Sequence, residues 1–396
     1  MLHTNSAQLV SELESLGQLE SRFSNIKLAN LPAGKKRGHF SLVFRAHDDV
    51  LDRDVALKFF DQDPKKINPY RLLCFDREHE LLSRLVGVNR CLQVSSPLST
   101  YTFHIPSAGG MSYAIPVKYF VTDWYDEEID GYFLNQEHKE ALDKLATFND
   151  IVLAIESLHK RHIFHRDIKA DNLRGTVTKG VRELVAIDLG TAASYESASI
   201  ATAYDGPAGL TTYSAPEAFG GLAGVRSVAH LTDVYALGSL LFELFSPDDF
   251  YSAYRVLNPD FDVRLFALVG EVSIATSDAD RLVLWNEKSP RLFRGLTPLV
   301  LEGSGTTVPL AVADIVNDAI VRMTAPSLSA RTAPLELIRR RIWSAIHCLE
   351  NEAMARRRAA QASARRLATK RKALERAARI TARGLKTLEV MQHESA

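Results

Sequence analysis

Asp167, Asn172 and Asp188 are the residues of this chain whose types and spacing point most directly to chemistry. The first two share the stretch HRDIKADN, residues 165–172, which sets an aspartate five positions ahead of an amide; the third ends the apolar run LVAIDLG. Two carboxylates and an amide converging on one cleft can hold Mg²⁺ together with phosphate oxygens, because Mg²⁺ takes a few hard oxygen ligands and keeps water for the rest. Lys169 adds a positive charge to the same loop.

Such residues act only if secondary structure brings them together. Leu9, Leu13, Leu16 and Leu19 recur at three to four positions and predict a short accessory helix over residues 6–23. The runs NIKLANL, HFSLVFRA and DVALKFF, separated by the turn-forming LPAGKKRG and HDDVLDR, predict three antiparallel strands. In NPYRLLCFDREHELLSRLV, positions Leu73, Arg77, Glu78, Leu81, Leu82 and Leu85 keep helical spacing, and VKYFVTDWY reads as a buried strand. From residue 140 onward helices dominate. ALDKLATFNDIVLAIESLHKRHI is amphipathic, and HLTDVYALGSLLFELF is apolar nearly all round, which suits the centre of a core. Residues 252–307 are mixed and predict peripheral helices and loops, after which DIVNDAIVRM and LELIRRRIWSAIHCLENEA return to helix. The expected fold class is α+β, a small β-rich part followed by a larger α-helical part.

HRDIKADN resembles the catalytic loop of eukaryotic-type serine/threonine protein kinases, and IDLG resembles their Asp-Phe-Gly motif with Leu189 in place of Phe. The resemblance runs in order over roughly residues 25–345 and implies a two-lobed kinase fold using ATP and Mg²⁺. It implies that Lys58, in VALK, binds the α- and β-phosphates and that Glu78 pairs with it, with Glu80 as the rival. Asp167 would accept or orient the substrate hydroxyl, Lys169 would neutralise the moving phosphoryl group, and Asn172 and Asp188 would hold the metal. SAPE, residues 214–217, resembles the end of the activation segment, Asp233 matches the aspartate that braces the catalytic loop, and Arg331 matches the arginine that pairs with Glu217. VTDWY, residues 121–125, would be the hinge that meets adenine through its main chain, Asp123 and Tyr125 included, with Thr122 limiting pocket depth.

The resemblance is imperfect in the phosphate-covering loop. Aligned on Val43, the three glycine positions carry Lys36, Gly38 and Ser41, which implies a differently shaped roof over the phosphates. Leu210 stands where such kinases keep a threonine, with Thr211 one residue along. Lys169 favours serine/threonine over tyrosine acceptors. Arg166 implies pairing with a phosphorylated activation segment, for which Ser194, Ser197, Ser199, Thr202, Thr211 and Thr212 offer hydroxyls. Two other classes compete with an active kinase: a pseudokinase interaction module, favoured by the glycine-poor loop alone, and a small-molecule phosphotransferase, disfavoured by SAPE, Lys169 and Arg331.

Composition sets the outer bounds. A chain of 396 residues with 46% hydrophobic and 24% charged residues is globular rather than disordered or fibrous. It shows no run of about 18 apolar residues and no signal-peptide pattern at its start, so the expected location is cytoplasmic. Cys74, Cys91 and Cys348 lie far apart and suggest neither a zinc site nor disulfides. The last 46 residues hold 12 of the 48 basic and 4 of the 48 acidic residues, leaving 36 and 44 for positions 1–350. An acidic body therefore precedes a basic tail, rich in Ala, Arg and Lys, in which a helix is expected at least to Arg383 with an interruption at Gly384. The tail is open to three roles: packing on the body, a partner or dimer contact, or binding of nucleic acid or an anionic membrane. Its lack of Trp and Tyr argues against a membrane anchor or a base-stacking platform. The expected division is an accessory helix at 1–24, a catalytic domain at 25–345 with lobes meeting near residue 125, and the basic helical tail at 346–396. Expected partners are protein substrates with Ser/Thr acceptors.

Overall fold

Side chains that point alternately to opposite sides along residues 41–48 and 53–60 give the first layer two unlike faces. Leu42 and Phe44, with Val55, Leu57 and Phe59, are fully buried on one face, while Ser41, Val43, Ala56 and Lys58 line a cleft on the other. A computed structural model of the chain describes residues 2–31, 35–36, 41–65, 67–106, 111–178, 180–196, 207, 209, 211–302, 305–332 and 334–393.

Helix α1 (Thr4–Ser15) is followed by strands β1 (Gln18–Leu19), β2 (Phe23–Leu28), β3 (Asn30–Leu31), β4 (Lys35–Lys36), β5 (Ser41–Asp48) and β6 (Arg53–Phe60). Helix α2 (Pro69–Arg84) then leads to β7 (Ser99–Pro106) and β8 (Ser112–Asp123). The main sheet is antiparallel, in the order β1-β2-β5-β6-β8-β7. Register places Lys58 opposite Val43 on one side and Phe120 on the other, in the middle of the sheet. The expected three strands are thus its centre. The edge strand β7 is not among the expected elements, although Tyr101, Phe103 and Ile105 alternate with Thr100, Thr102 and His104 along it.

Helix α1 is tied to this sheet by polar contacts at three points. Ser6 Oγ donates to Asp61 Oδ1 (2.6 Å), the Glu12 carboxylate accepts from Tyr101 Oη (2.7 Å), and Glu14 Oε1 accepts from the Leu28 N–H (2.9 Å). It is shorter than its leucine spacing predicts. Leu16 leaves helical geometry (ψ 125°) with its N–H still on the Glu12 and Leu13 carbonyls, and Leu19 is buried from strand β1 instead. Helix α2 starts where its composition directs: Asn68 Oδ1 accepts from the Arg71 N–H (2.8 Å), and Pro69, which has no N–H to lose, opens the first turn.

The second part contains β9 (Glu127–Glu128), α3 (Ala141–His159), β10 (Ile163–Phe164), β11 (Leu173–Thr178), β12 (Val181–Ala186), β13 (Ala193–Ser194) and the short α4 (Pro216–Phe219). Helices α5 (Ala229–Glu243), α6 (Phe250–Leu257), α7 (Phe261–Val272), α8 (Asp278–Leu292), α9 (Ala313–Met323) and α10 (Leu335–His393) complete it. Strand β11 pairs with both β9 and β12, and β10 pairs with β13. Helix α5 is the core of this part. It lies so close to the end of α9 that a Cβ on Gly238 would stand 2.7 Å from Met323 Cβ. The mixed stretch 252–307 is mostly helical, as α6, α7 and α8.

Contacts divide the chain into two compact units, Met1–Trp343 and Ser344–Ala396. The second unit is the remainder of α10, where residues 354–372 are exposed. Gly384, expected to interrupt the tail helix, lies inside it, since one glycine costs about 1 kcal/mol of propensity and the good helix formers on either side offset it. No described helix is long and apolar enough to cross a membrane.

Within the first unit, Arg331 and Glu217 form an ion pair fully shielded from water, with Nη1 and Nη2 at 2.6 and 3.0 Å from the two carboxylate oxygens. Arg331 also donates to the carbonyls of Ala325 and Leu231 and lies over the Tyr235 ring. Removing one partner strands a buried charge. Arg331→Ala is expected to cost about 3–5 kcal/mol in chemical denaturation, whereas replacing both residues by apolar side chains should cost distinctly less.

Candidate active site

Lys58 reaches out of β6 into the cleft, and helical spacing decides what it meets there. On α2, Cys74, Phe75, Arg77, Glu78, Leu81 and Leu82 are buried while Glu80 is exposed. Glu78 is therefore the partner: Lys58 Nζ lies 2.7 and 2.6 Å from its two oxygens and 3.1 Å from Asp188 Oδ1. Burial alone would lower the lysine pKa, but the two carboxylates outweigh it and hold the ammonium well above the usual lysine range. Burial pushes Glu78 up against the pull of Lys58. For Asp188 burial acts in the same upward sense, but Lys58 overrides it and keeps the carboxyl below its ordinary value.

Asp188 adopts the left-handed backbone region (φ 65°, ψ 60°), an unfavourable conformation for a residue with a Cβ, and the tight turn 189–191 follows. Leu189 is fully buried there, doing the packing work of a bulky apolar residue. A Cβ at Gly190 would stand 3.2 Å from the Cys74 carbonyl of α2, so the helix that carries Glu78 rests directly on the turn that carries Asp188.

The loop 165–172 is held from below by α5. Asp233, buried near the start of that helix, accepts the N–H groups of His165 (2.8 Å) and Arg166 (2.7 Å), and His159 Nε2 donates to it at 2.8 Å. His165 Nε2 donates to the Ile187 carbonyl (2.9 Å), which couples the loop to the strand ending at Asp188. Within the loop, Lys169 Nζ lies 2.8 Å from Asp167 Oδ2, and Asn172 Nδ2 donates to the Asp167 carbonyl (2.8 Å) and to Oδ2 (3.0 Å). With its amide nitrogen so occupied, Asn172 has its oxygen left for a ligand. That oxygen and the Asp188 carboxylate are hard donors of the kind Mg²⁺ shares with phosphates, so the residues present fit the metal.

Val43, Lys58, Glu78, Asp123, Tyr125, Lys169, Asn172 and Asp188 all line one cavity of about 300 Å³. Asp167 lies beside it through its contacts with Lys169 and Asn172. Gly38 falls outside the described residues, as do Leu210, Ser197, Ser199 and Thr202; Lys36 belongs to β4. At the opposite end from Lys58, pairing of β8 with β6 ends at Asp123, so the backbone of Trp124 and Tyr125 leaves the ladder at the cavity wall. The Asp123 carboxylate is 3.0 Å from Arg53 Nη1.

Arg166 Nε donates to the Thr191 carbonyl (2.7 Å), joined there by Nη2, while Nη1 is buried without a hydrogen-bond partner among the described residues. Burial pushes its pKa down to about 10. Helix α2 grips the same segment: Arg77 Nε donates to the Ala192 carbonyl (3.0 Å) and Arg84 Nη1 to Ser194 Oγ (3.0 Å).

Two residues of this site have no place in the motif reading. A Cβ on Gly209 would fall 2.6 Å from Asp167 Oδ1 and 2.8 Å from the Arg166 carbonyl, so only glycine allows the chain to pass this close to Asp167. Arg174, on β11, lines the cavity two residues after Asn172, which lies just ahead of that strand. Strand alternation from Asn172 was the available signal for Arg174; Gly209 is set by a contact between distant segments and leaves none.

Residues 36–258 match the protein kinase domain family, and the chain belongs to it. It is 30% identical over 218 residues to the serine/threonine-protein kinase PrkC of Bacillus subtilis, a stretch covering 53% of this chain and 29% of that protein. It is 26% identical over 236 residues to the serine/threonine-protein kinase PknD of Chlamydia muridarum, covering 53% and 24%. The alignments span less than a third of each relative's own length.

Lys58→Met leaves Glu78 and Asp188 buried without their cation. A carboxyl whose folded pKa is raised keeps a proton that the unfolded chain releases, so the stability it contributes at acid pH is lost as pH rises through the folded value. The gap in melting temperature between wild type and Lys58→Met is expected to widen from pH 5.5 to pH 8.5; a constant gap would contradict the coupling.

Proposed function

We propose that this chain is a serine/threonine protein kinase that transfers the γ-phosphoryl group of Mg-ATP to hydroxyls of protein substrates, with residues 25–345 as the catalytic domain. The observation that carries the reading is the closed Lys58–Glu78–Asp188 contact, with the Asp167–Lys169–Asn172 loop beside it. A cation for phosphates, two hard oxygen donors for a metal and a carboxylate for a hydroxyl thereby share one cleft. Membership of the family and likeness to two bacterial serine/threonine kinases support it.

In this mechanism Lys58, fixed by Glu78, holds the α- and β-phosphates, and Asn172 and Asp188 would hold Mg²⁺, which would supply neutralising charge to the phosphates. Asp167 orients the acceptor hydroxyl and takes its proton as the oxygen bonds to γ-phosphorus and the bond to the β–γ bridging oxygen breaks. Lys169 balances negative charge on the moving group. The protein contributes position and field rather than covalent chemistry. Lys169 supports a serine/threonine acceptor. Autophosphorylation is part of the proposal, motivated by Arg166 and the hydroxyls of residues 191–212; equal activity after phosphatase treatment, with no label in that segment, would remove it.

The deciding assay is transfer of labelled γ-phosphate from Mg-ATP by the purified chain, alone and with a generic basic acceptor. Label on Ser or Thr is expected for wild type and not for Lys58→Met or Asp188→Ala; nucleotide binding without any transfer would favour the pseudokinase alternative. In active enzyme, Asp167→Asn should lose most turnover with ATP affinity retained. Gly209→Ala, which displaces Asp167, is expected to lower kcat by between about ten- and a hundredfold while KM for ATP stays within about twofold.

A further inference from the structure

Among the described residues, Arg174 is the one cavity-lining cation that neither the metal, the phosphates nor the acceptor accounts for. It is only 7% exposed, yet its one hydrogen bond among the described residues runs from Nη1 to the neighbouring Leu173 carbonyl (2.7 Å). Asp130 and Asp171 raise its pKa from a distance without an ion pair, and burial outweighs them. Arginine is rarely buried without a carboxylate, because desolvating an unpaired charge is costly. Nε and Nη2 are thus left to a ligand.

Strand geometry tells which part of a ligand. Successive side chains of a strand face opposite ways, and Leu173 is buried in the core while Asn172 and Arg174 line the cavity. Arg174 pairs with Glu128 of β9, the strand that directly follows the hinge, so it stands at the hinge end of the cleft, away from Lys58 and Asp188. Val43 and Ala56 from the first sheet line the same space, as does Ile187 from the second part. A flat group entering here would lie between aliphatic side chains and a planar guanidinium.

We propose that Arg174 is a base-recognition residue, its guanidinium lying against the nucleobase of the bound nucleoside triphosphate. Guanidinium and purine are both flat, and the cation is attracted to the π face, more so in a desolvated site. The phosphates are then held at one end by Lys58, and the base at the other by Arg174. The proposal rests on the nucleotide-binding part of the reading above.

The test is displacement of a fluorescent ATP analogue from full-length wild type, Arg174→Leu and Arg174→Lys by Mg-ATP, by adenosine and by Mg-tripolyphosphate. Arg174→Leu is expected to weaken ATP and adenosine each by roughly tenfold and to leave tripolyphosphate unchanged, which also shows that the cleft is still folded. Arg174→Lys, which keeps the charge without the plane, should lose a similar factor. Equal loss for ATP and tripolyphosphate would make Arg174 a phosphate-directed charge, and unchanged ATP affinity would make it a scaffold residue; either result overturns the proposal. Wild type that binds ATP and adenosine but transfers no phosphoryl group leaves base recognition standing and removes only the kinase reading. Wild type that binds no nucleotide removes both.

Discussion

An ammonium buried between two carboxylates holds its position only when three separate pieces of chain meet. Lys58 comes from the middle of a sheet, Glu78 from a helix laid beside it, and Asp188 from a turn in the second part of the fold. Each charge would be costly if desolvated alone, and each is tolerable because the others are there. The cleft is therefore coupled to the packing of α2. If the helix shifts, Lys58 loses one counter-charge, and Gly190, in van der Waals reach of Cys74, loses its support.

The second part of the site is anchored by another buried carboxylate. Asp233 receives two backbone N–H groups of the loop 165–172 and an imidazole, so the loop cannot move independently of α5, and α5 is buried along almost its whole length. The Arg331–Glu217 pair joins α4 to the chain entering α10 in the same way. Buried polar groups of this kind add less to net stability than apolar packing does, but a misplaced partner is penalised heavily, and that fixes loop geometry. Chemistry by positioning needs such fixed loops.

Helix α1 extends this principle to the outer face of the first sheet. Its side chains reach Asp61 beyond β6, Tyr101 on β7 and Leu28 at the end of β2, so a helix expected as an accessory binds three places on the sheet that carries Lys58. Arg174 is the counter-example, a buried cation with no carboxylate to pair with. Arg166 and Lys144 are likewise buried on neutral oxygens, and what sets Arg174 apart is its place in the wall of the cavity.

Much of the site was legible in the chain before any coordinates. HRDIKADN, IDLG and VALK single out the loop, Asp188 and Lys58, because chemistry dictates residue types at fixed spacing along one strand or loop. Helical periodicity also separates Glu78 from Glu80, since residues two apart on a helix point about 200° apart, and the structure buries the first and exposes the second. Burial and local propensity likewise determined the central strands, α2, α3 and α5. Tertiary structure alone decided the rest: the end of α1, set by where Leu19 could be buried; the contact that requires glycine at 209; and the place of Arg174 in the cavity wall. These depend on which distant segment a residue meets, and local pattern carries no information about a partner tens of positions away or across a sheet.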